Sequence, residues 1–102
     1  MVRAMLHIKV IENRAPEFEA IWRAVAEQVR RVPGNLRQSL LRDIQEPNAF
    51  VISSDWASEE AFRRFERSPE QDALTAPIRE VRESARMTVQ ALLLHIEGEH
   101  PQ

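Results

Sequence analysis

No cysteine occurs among the 102 residues, which excludes disulfides, thiolate metal sites and a cysteine nucleophile. That composition suits a reducing compartment. Glycine is nearly as scarce. Only Gly34 and Gly98 are present, so no glycine-rich loop is available to cradle a phosphate. No serine-hydrolase elbow, zinc-protease pair or flavin signature can be written on the chain. No apolar run approaches the roughly 20 residues that span a bilayer. No signal peptide precedes the alternating segment at the N-terminus, and the expectation is a cytoplasmic protein with no membrane partner. The formal charge of −2 lacks a basic footprint. The arginines alternate with acids, as in Arg63-Arg64-Phe65-Glu66-Arg67. They read as solvated faces, not as a nucleic-acid surface.

What is present fits one domain over residues 1–102, with 98–102 as a polar tail. Residues 2–11 alternate: Val2, Ala4, Leu6, Ile8 and Val10 form an apolar face, and Arg3, Met5, His7, Lys9 and Ile11 a mixed one. Period two over that length predicts a strand with one face in a core. Residues 15–32 carry Phe18, Ile21, Trp22, Val25, Val29 and Val32 at helical spacing. Pro16 suits the first turn, and Pro33-Gly34 ends the helix. Residues 35–44 and 49–56 read as a hairpin joined at Glu46-Pro47-Asn48. The facing of the first strand is ambiguous, because Leu40 and Leu41 are adjacent.

Ser58 reads as a helix N-cap followed by Glu59 and Glu60. Ser68 and Gln71 have capping-box spacing, with Pro69 at the first helical position. Leu74, Ile78 and Val81 continue an inner stripe, which Pro77 is expected to kink or break. Residues 86–97, rich in Val, Leu and Ile, read as the last strand.

The order is β-α-β-β-α-β, an α+β ferredoxin-like arrangement: a four-stranded antiparallel sheet with helices on one face. Helices on one face leave the other for water or a partner. Met5, Phe50, Ile52 and Trp56 are the apolar residues expected on that uncovered side, a poor surface if left exposed. A second copy packing sheet to sheet would cover them and enclose a cavity. The expectation is therefore a homodimer.

The residues Ala15-Pro16-Glu17-Phe18-Glu19, Val32-Pro33-Gly34, Leu40-Leu41-Arg42-Asp43, Phe50 to Trp56, Ser58-Glu59-Glu60-Ala61-Phe62 and Ser68-Pro69 carry a family likeness. In that order and spacing the chain resembles the antibiotic biosynthesis monooxygenase family of dimeric α+β barrels. The strongest marker is Trp56 to Phe62. The resemblance implies a range of activities: cofactor-free oxidation of anthrone-type polyketides, quinol oxidation, haem degradation or isomerisation. The fold alone does not choose among them.

His7 is the candidate catalytic residue. The resemblance places it where family oxygenases often hold an asparagine that bonds the substrate oxygen. An imidazole there would serve as base toward a phenol or activated ring carbon; the alternative is a cavity-lining or dimer-contact histidine. Trp56 matches a family tryptophan that lines the substrate cavity, and its indole offers a flat wall; otherwise it packs on Phe62 or Phe65. Met5, Lys9, Ile52 and Phe65 complete the expected substrate-binding set, with Lys9 set against a phenolate or snorkelling at the rim. Arg42 is a weaker candidate for an anionic substrate, and Trp22 reads as core. His95, Glu97, Glu99 and His100 read as a solvated terminus, and no metal site is expected. The haem-degrading branch uses an asparagine, a tryptophan and an iron-binding histidine. The positions matching these are His7, Phe65 and Thr75, which argues against haem degradation.

An oxygenase reading must then be free of any cofactor. Dioxygen is a ground-state triplet, and a deprotonated electron-rich aromatic can pass it one electron. The protein supplies a dry pocket, a base and groups that hold the anion. The expected function is a cofactor-independent monooxygenase that uses O2 on a phenolic or anthrone-type polycycle, in an aromatic polyketide pathway. Two alternatives stand beside it: a polyketide cyclase or isomerase, and a non-catalytic small-molecule-binding accessory protein.

Overall fold

The computed structural model describes residues 1–100. Seven elements follow in order: β1 (Val2–Val10), α1 (Ala15–Val29), β2 (Asn35–Arg42), β3 (Ala49–Trp56), α2 (Glu59–Glu66), α3 (Pro69–Val81) and β4 (Arg82–Ala91). The strands form one antiparallel sheet in the order β2-β3-β1-β4. This is the ferredoxin-like α+β arrangement that the alternation and helix signals predict.

One core joins the sheet to the helices. Ala4, Ile8 and Val10 of β1 and Phe50 and Trp56 of β3 pack against Phe18, Val25 and Val29 of α1. Ala61 and Phe62 of α2 and Ile78 and Val81 of α3 complete it. All three helices thus cover the same face of the sheet. Directly paired residues in an antiparallel ladder share a face. Val2 stands opposite Trp56, Leu6 opposite Ile52 and Ile8 opposite Phe50. Phe50, Ile52 and Trp56 therefore point toward the helices. This corrects the expectation that they lie on the uncovered side, where of that set only Met5 is found. The physical reason is parity: a one-residue change of register exchanges the faces of every side chain.

The ends of the elements also differ from the periodicity. Helix α1 stops at Val29, and the backbone N–H of Val32 closes a tighter turn onto the Val29 carbonyl at 2.9 Å. Pro77 lies inside α3 without ending it, on a turn whose residues Ala73 and Pro77 are both exposed. Between α2 and α3 the Ser68 hydroxyl accepts from Gln71 N and donates to the Phe65 carbonyl, so the helices break there. An irregularity between Asn35 and Arg37 fixes the facing of β2. Leu40 then pairs with Ile52 on the helix side, and Leu41 with Val51 on the open side. Gly34 turns the chain into β2 with φ 93°, and a Cβ there would lie 2.5 Å from Ala61 Cβ.

β4 starts four residues before the expected strand and ends six before its expected end, since it runs from 82 to 91 rather than from 86 to 97. Its length is set by its neighbour: β1 offers partners from Val2 to Val10, and the last contact is Leu92 N–H to the Met1 carbonyl at 3.1 Å. Leu93, Leu94 and Ile96 beyond it are 85%, 81% and 86% exposed. Residues 101–102 of the expected tail lie outside the described residues.

Candidate functional site

The split of β1 and β3 into two faces decides where ligand chemistry can sit. On the helix-covered face a cavity of about 260 Å³ lies between sheet and helices. Strand β3 supplies Ile52, Ser54 and Trp56, helix α2 supplies Phe62, Phe65 and Glu66, and α1 contributes Trp22. Trp56 is almost fully buried. Its indole stacks on Phe65 with ring centres 5.2 Å apart and planes at 25°, and meets Phe62 edge-on at 5.8 Å. The indole N–H donates to Ser54 Oγ at 3.0 Å, so its one polar atom is held inside the wall.

Polar groups gather at two places on this cavity. Gln38 of β2 donates Nε2 to the Ala26 carbonyl at 3.0 Å, which ties the sheet to α1 and leaves its amide oxygen as an acceptor. From α3, Thr75 donates to the Gln71 carbonyl at 2.8 Å and accepts from Arg79 Nη1 at 3.1 Å. The Arg79 guanidinium also donates to the Asp72 carbonyl at 3.1 Å. Arg82 also lines the cavity, and among the described residues its side chain makes no hydrogen bond or ion pair. Glu66 is the carboxylate on the lining, and Arg63 donates to it at 3.0 Å.

The open face has a different character. His7 stands between Val51 and Arg86 in the ladder, and Met5 between Ser53 and Thr88. An open groove of about 580 Å³ runs past His7, Lys9, Leu41, Arg42, Val51 and Arg86. Lys9 Nζ pairs with Glu46 at 3.2 Å. Further along this face Asp55 is 2% exposed. It accepts from Arg3 Nε at 2.7 Å and Nη2 at 3.1 Å, and from Arg37 Nη1 at 2.5 Å. The two bonds from Arg3 hold the Asp55 carboxyl below the usual carboxylate range; burial opposes them, and Arg37 adds to the lowering.

The sheet therefore divides the residues expected to act together. Trp56, Ile52 and Phe65 share the inner cavity. His7, Met5 and Lys9 lie on the opposite face, and Arg42, at the end of β2 with helix-side parity, borders the groove there. Trp22, read from sequence as core, is half-buried and lines the cavity. Gln38, Thr75, Arg79 and Arg82 were not singled out as site residues. Their signal was positional: Gln38 has the parity of Leu40 and Arg42, and Thr75 and Arg79 recur four apart on one helical face. Among the described residues no three His, Asp or Glu side chains converge as a metal site, and no helix is long and apolar enough to cross a membrane. His95 Nε2 lies 2.6 Å from Glu97 Oε1 in an exposed segment.

With this geometry in hand, residues 1–76 match the family model for antibiotic biosynthesis monooxygenases. The chain belongs to that family. A curated relative, deoxynogalonate monooxygenase of Streptomyces nogalater, is 36% identical over 53 residues. That match covers 52% of this chain and 45% of the relative, so it spans less than half of that protein's length. Among solved structures, SnoaB, a cofactor-independent oxygenase from Streptomyces nogalater, superposes with TM-score 0.84 at 23% identity, over 95% of this chain and 97% of that one. A Deinococcus radiodurans protein assigned to the same family gives TM-score 0.85 at 16% identity, covering 98% and 100%. At those identities the likeness establishes the fold.

The chain offers an aromatic slot between sheet and helices, with Gln38, Glu66, Thr75, Arg79 and Arg82 among its polar lining. Such a slot can hold a flat ring system and stabilise negative charge on an oxygen substituent.

Proposed function

We propose that the chain is a cofactor-independent monooxygenase that oxidises a compact phenolic or anthrone-type polycyclic aromatic with dioxygen, in aromatic polyketide biosynthesis, as a cytoplasmic homodimer. The observation that carries this reading is the inner cavity walled by the Trp56–Phe65 stack. At about 260 Å³ it lies just under the roughly 300–1,000 Å³ common for ligand sites. It therefore favours a compact polycycle over an extended chain.

Substrate would lie against Trp56 and Phe65, with Ile52 at its edge, and direct its phenolic oxygen toward Arg79 and Arg82. A guanidinium beside that oxygen favours the phenolate, the electron-rich form that reacts with dioxygen. One electron passes to dioxygen, the radical pair combines at carbon, and the resulting hydroperoxide loses water to leave a carbonyl. Overall a CH2 group and O2 give C=O and H2O, so atoms and electrons balance without a reductant. The sheet's open face, with Met5, His7, Val51 and Leu41, would pack on the same face of a second copy.

A second reading has one observation in its favour, the groove beside His7. If a second copy roofs that groove, His7 acts as base there, with Lys9 at the rim. Oxygen uptake with anthrones and naphthols separates the readings. Uptake equal to substrate consumed, reduced by Phe65→Ala and retained in His7→Ala, supports the inner cavity. Loss in His7→Ala with retention in Phe65→Ala moves the chemistry to the groove. No uptake above the spontaneous rate overturns both. Ring closure or isomerisation that proceeds equally under argon would instead make the chain a cyclase or isomerase.

A further inference from the structure

We propose that Phe65 sets the size of polycycle that the protein accepts. Its ring divides the inner cavity from a groove among α1, α2 and α3. Turned aside, it joins the two, and the groove becomes an outer subsite for a further ring that bears a hydroxyl group. This takes its ligand class from the proposed function and extends the site beyond the inner cavity.

The groove is open and has a volume of about 490 Å³. Val32 and Pro33 just past α1, Ala61 of α2 and Leu74 of α3 give it apolar walls, while Gln28 and Glu70 are exposed polar groups on it. Among the described residues, Phe65 is the one side chain that lines both this groove and the inner cavity. Helix geometry explains its place. Phe65 follows Ala61 by four residues and Phe62 by three; Ala61 lines the groove, and Phe62 lines the cavity. Phe65 therefore stands on the boundary between two faces of α2.

Its neighbours make it the movable part of that wall. Trp56 and Phe62 are 1% and 3% exposed, whereas Phe65 is half-buried and leans on the Trp56 indole. It lies in the last turn of α2, where Ser68 N and Ser68 Oγ both donate to its carbonyl, at 3.0 and 2.8 Å. The backbone is thus pinned, and the freedom left is χ1 rotation between the two staggered positions open to a helical phenylalanine. Ala61, one turn back on the groove side, presents only a methyl group there.

Volume supplies the reason for such a movement. The inner cavity alone lies below the roughly 300–1,000 Å³ common for ligand sites, while cavity and groove together fall within it. A two-ring phenol fits with the wall closed, and a fourth fused ring needs it open. The Glu70 carboxylate can then accept from a hydroxyl on the distal ring, and the Gln28 amide can donate to it or accept from it.

Binding under argon separates size selection from turnover. Naphthol, hydroxyanthraquinone and hydroxynaphthacenequinone offer two, three and four fused rings, and equilibrium dialysis measures their dissociation constants. Phe65→Ala is expected to weaken naphthol and to tighten hydroxynaphthacenequinone, which shifts the ratio of their constants about tenfold or more toward the larger ligand. Leu74→Trp and Gln28→Trp fill the groove and are expected to shift that ratio about tenfold the other way. Gln28 is on the surface, so a loss of fold in Leu74→Trp does not remove the test. One common factor for all three ligands in Phe65→Ala overturns the proposal. So does a ratio that the folded groove variants leave unmoved, or an absence of binding by all three ligands. If the ratio shifts as expected but anthrones drive no oxygen uptake, the outer subsite stands and the monooxygenase reading fails. Oxygen uptake that Phe65→Ala reduces, with an unmoved ratio, gives the reverse.

Discussion

Replacing Asp55 by alanine removes one carboxylate and three charge-assisted hydrogen bonds from the open face. Breaking a fully buried ion pair by deleting one partner costs about 3–5 kcal/mol. Here the deleted partner is buried, but Arg3 and Arg37 have side chains 37% and 60% exposed, so water takes up much of what they lose. The cost expected for Asp55→Ala at neutral pH is therefore about 2–3 kcal/mol. In a chain of this size that corresponds to a fall of about 8–20 °C in Tm. The pH dependence has a defined sign. The folded Asp55 carboxyl titrates below its unfolded value, so the unfolded chain takes up the proton first. The stabilisation is fully present above the unfolded value of about 3.9 and is lost as pH falls through the lower folded one. Glu17 and Asp43 are also lowered, by Arg14 and by the Glu46 and Gln45 backbone N–H groups respectively, but they titrate alike in both proteins and cancel in the difference. Urea unfolding of parent and variant at one fixed protein concentration, from pH 7 down to pH 2, measures this directly. A gap under about 0.5 kcal/mol at pH 7 would put Asp55 among ordinary surface pairs and refute the reasoning. So would a gap that stays constant down to the lowest pH.

Gly34→Ala should cost at least about 2 kcal/mol in urea unfolding, since it combines an unfavourable φ with a Cβ 2.5 Å from Ala61. Ser58→Ala removes the hydroxyl that accepts from Ala61 N at 3.1 Å, and should destabilise by about 1 kcal/mol, while Ser58→Asp should restore most of it. Phe65→Ala strips the face of the Trp56 indole; a red-shifted, more quenchable tryptophan emission and about a tenfold rise in KM for the aromatic substrate are expected.

The strands and helices were legible because burial is periodic. Val2 to Val10 alternates cleanly, and its mixed face carries Arg3, His7 and Lys9, so the core face could be named in advance. The caps at Ser58 and Ser68 were legible for a local reason, since each hydroxyl bonds an N–H three residues on. The end of β4 was not, because strand propensity in Leu92 to Ile96 says nothing of where β1 stops offering partners. Pro77 does not break α3, where it occupies an exposed position. Of the residues read from sequence as one site, Trp56, Ile52 and Phe65 line one cavity, and His7, Met5 and Lys9 lie across the sheet from it.

The facing of β3 has a physical lesson. Period two separates Phe50, Ile52, Ser54 and Trp56 from Ala49, Val51, Ser53 and Asp55 without saying which set faces inward. Side-chain size does say it. The first set holds two aromatics and an isoleucine, and only the helix layer guarantees their burial within one chain. The second set is small, apart from a carboxylate that two arginines neutralise. The bulky set leaves a space between sheet and helices that side chains do not fill. The two faces thus divide the work. The helix side holds a cavity of about 260 Å³ lined by Ile52, Trp56 and Phe65, and the open side carries Met5, His7 and Lys9.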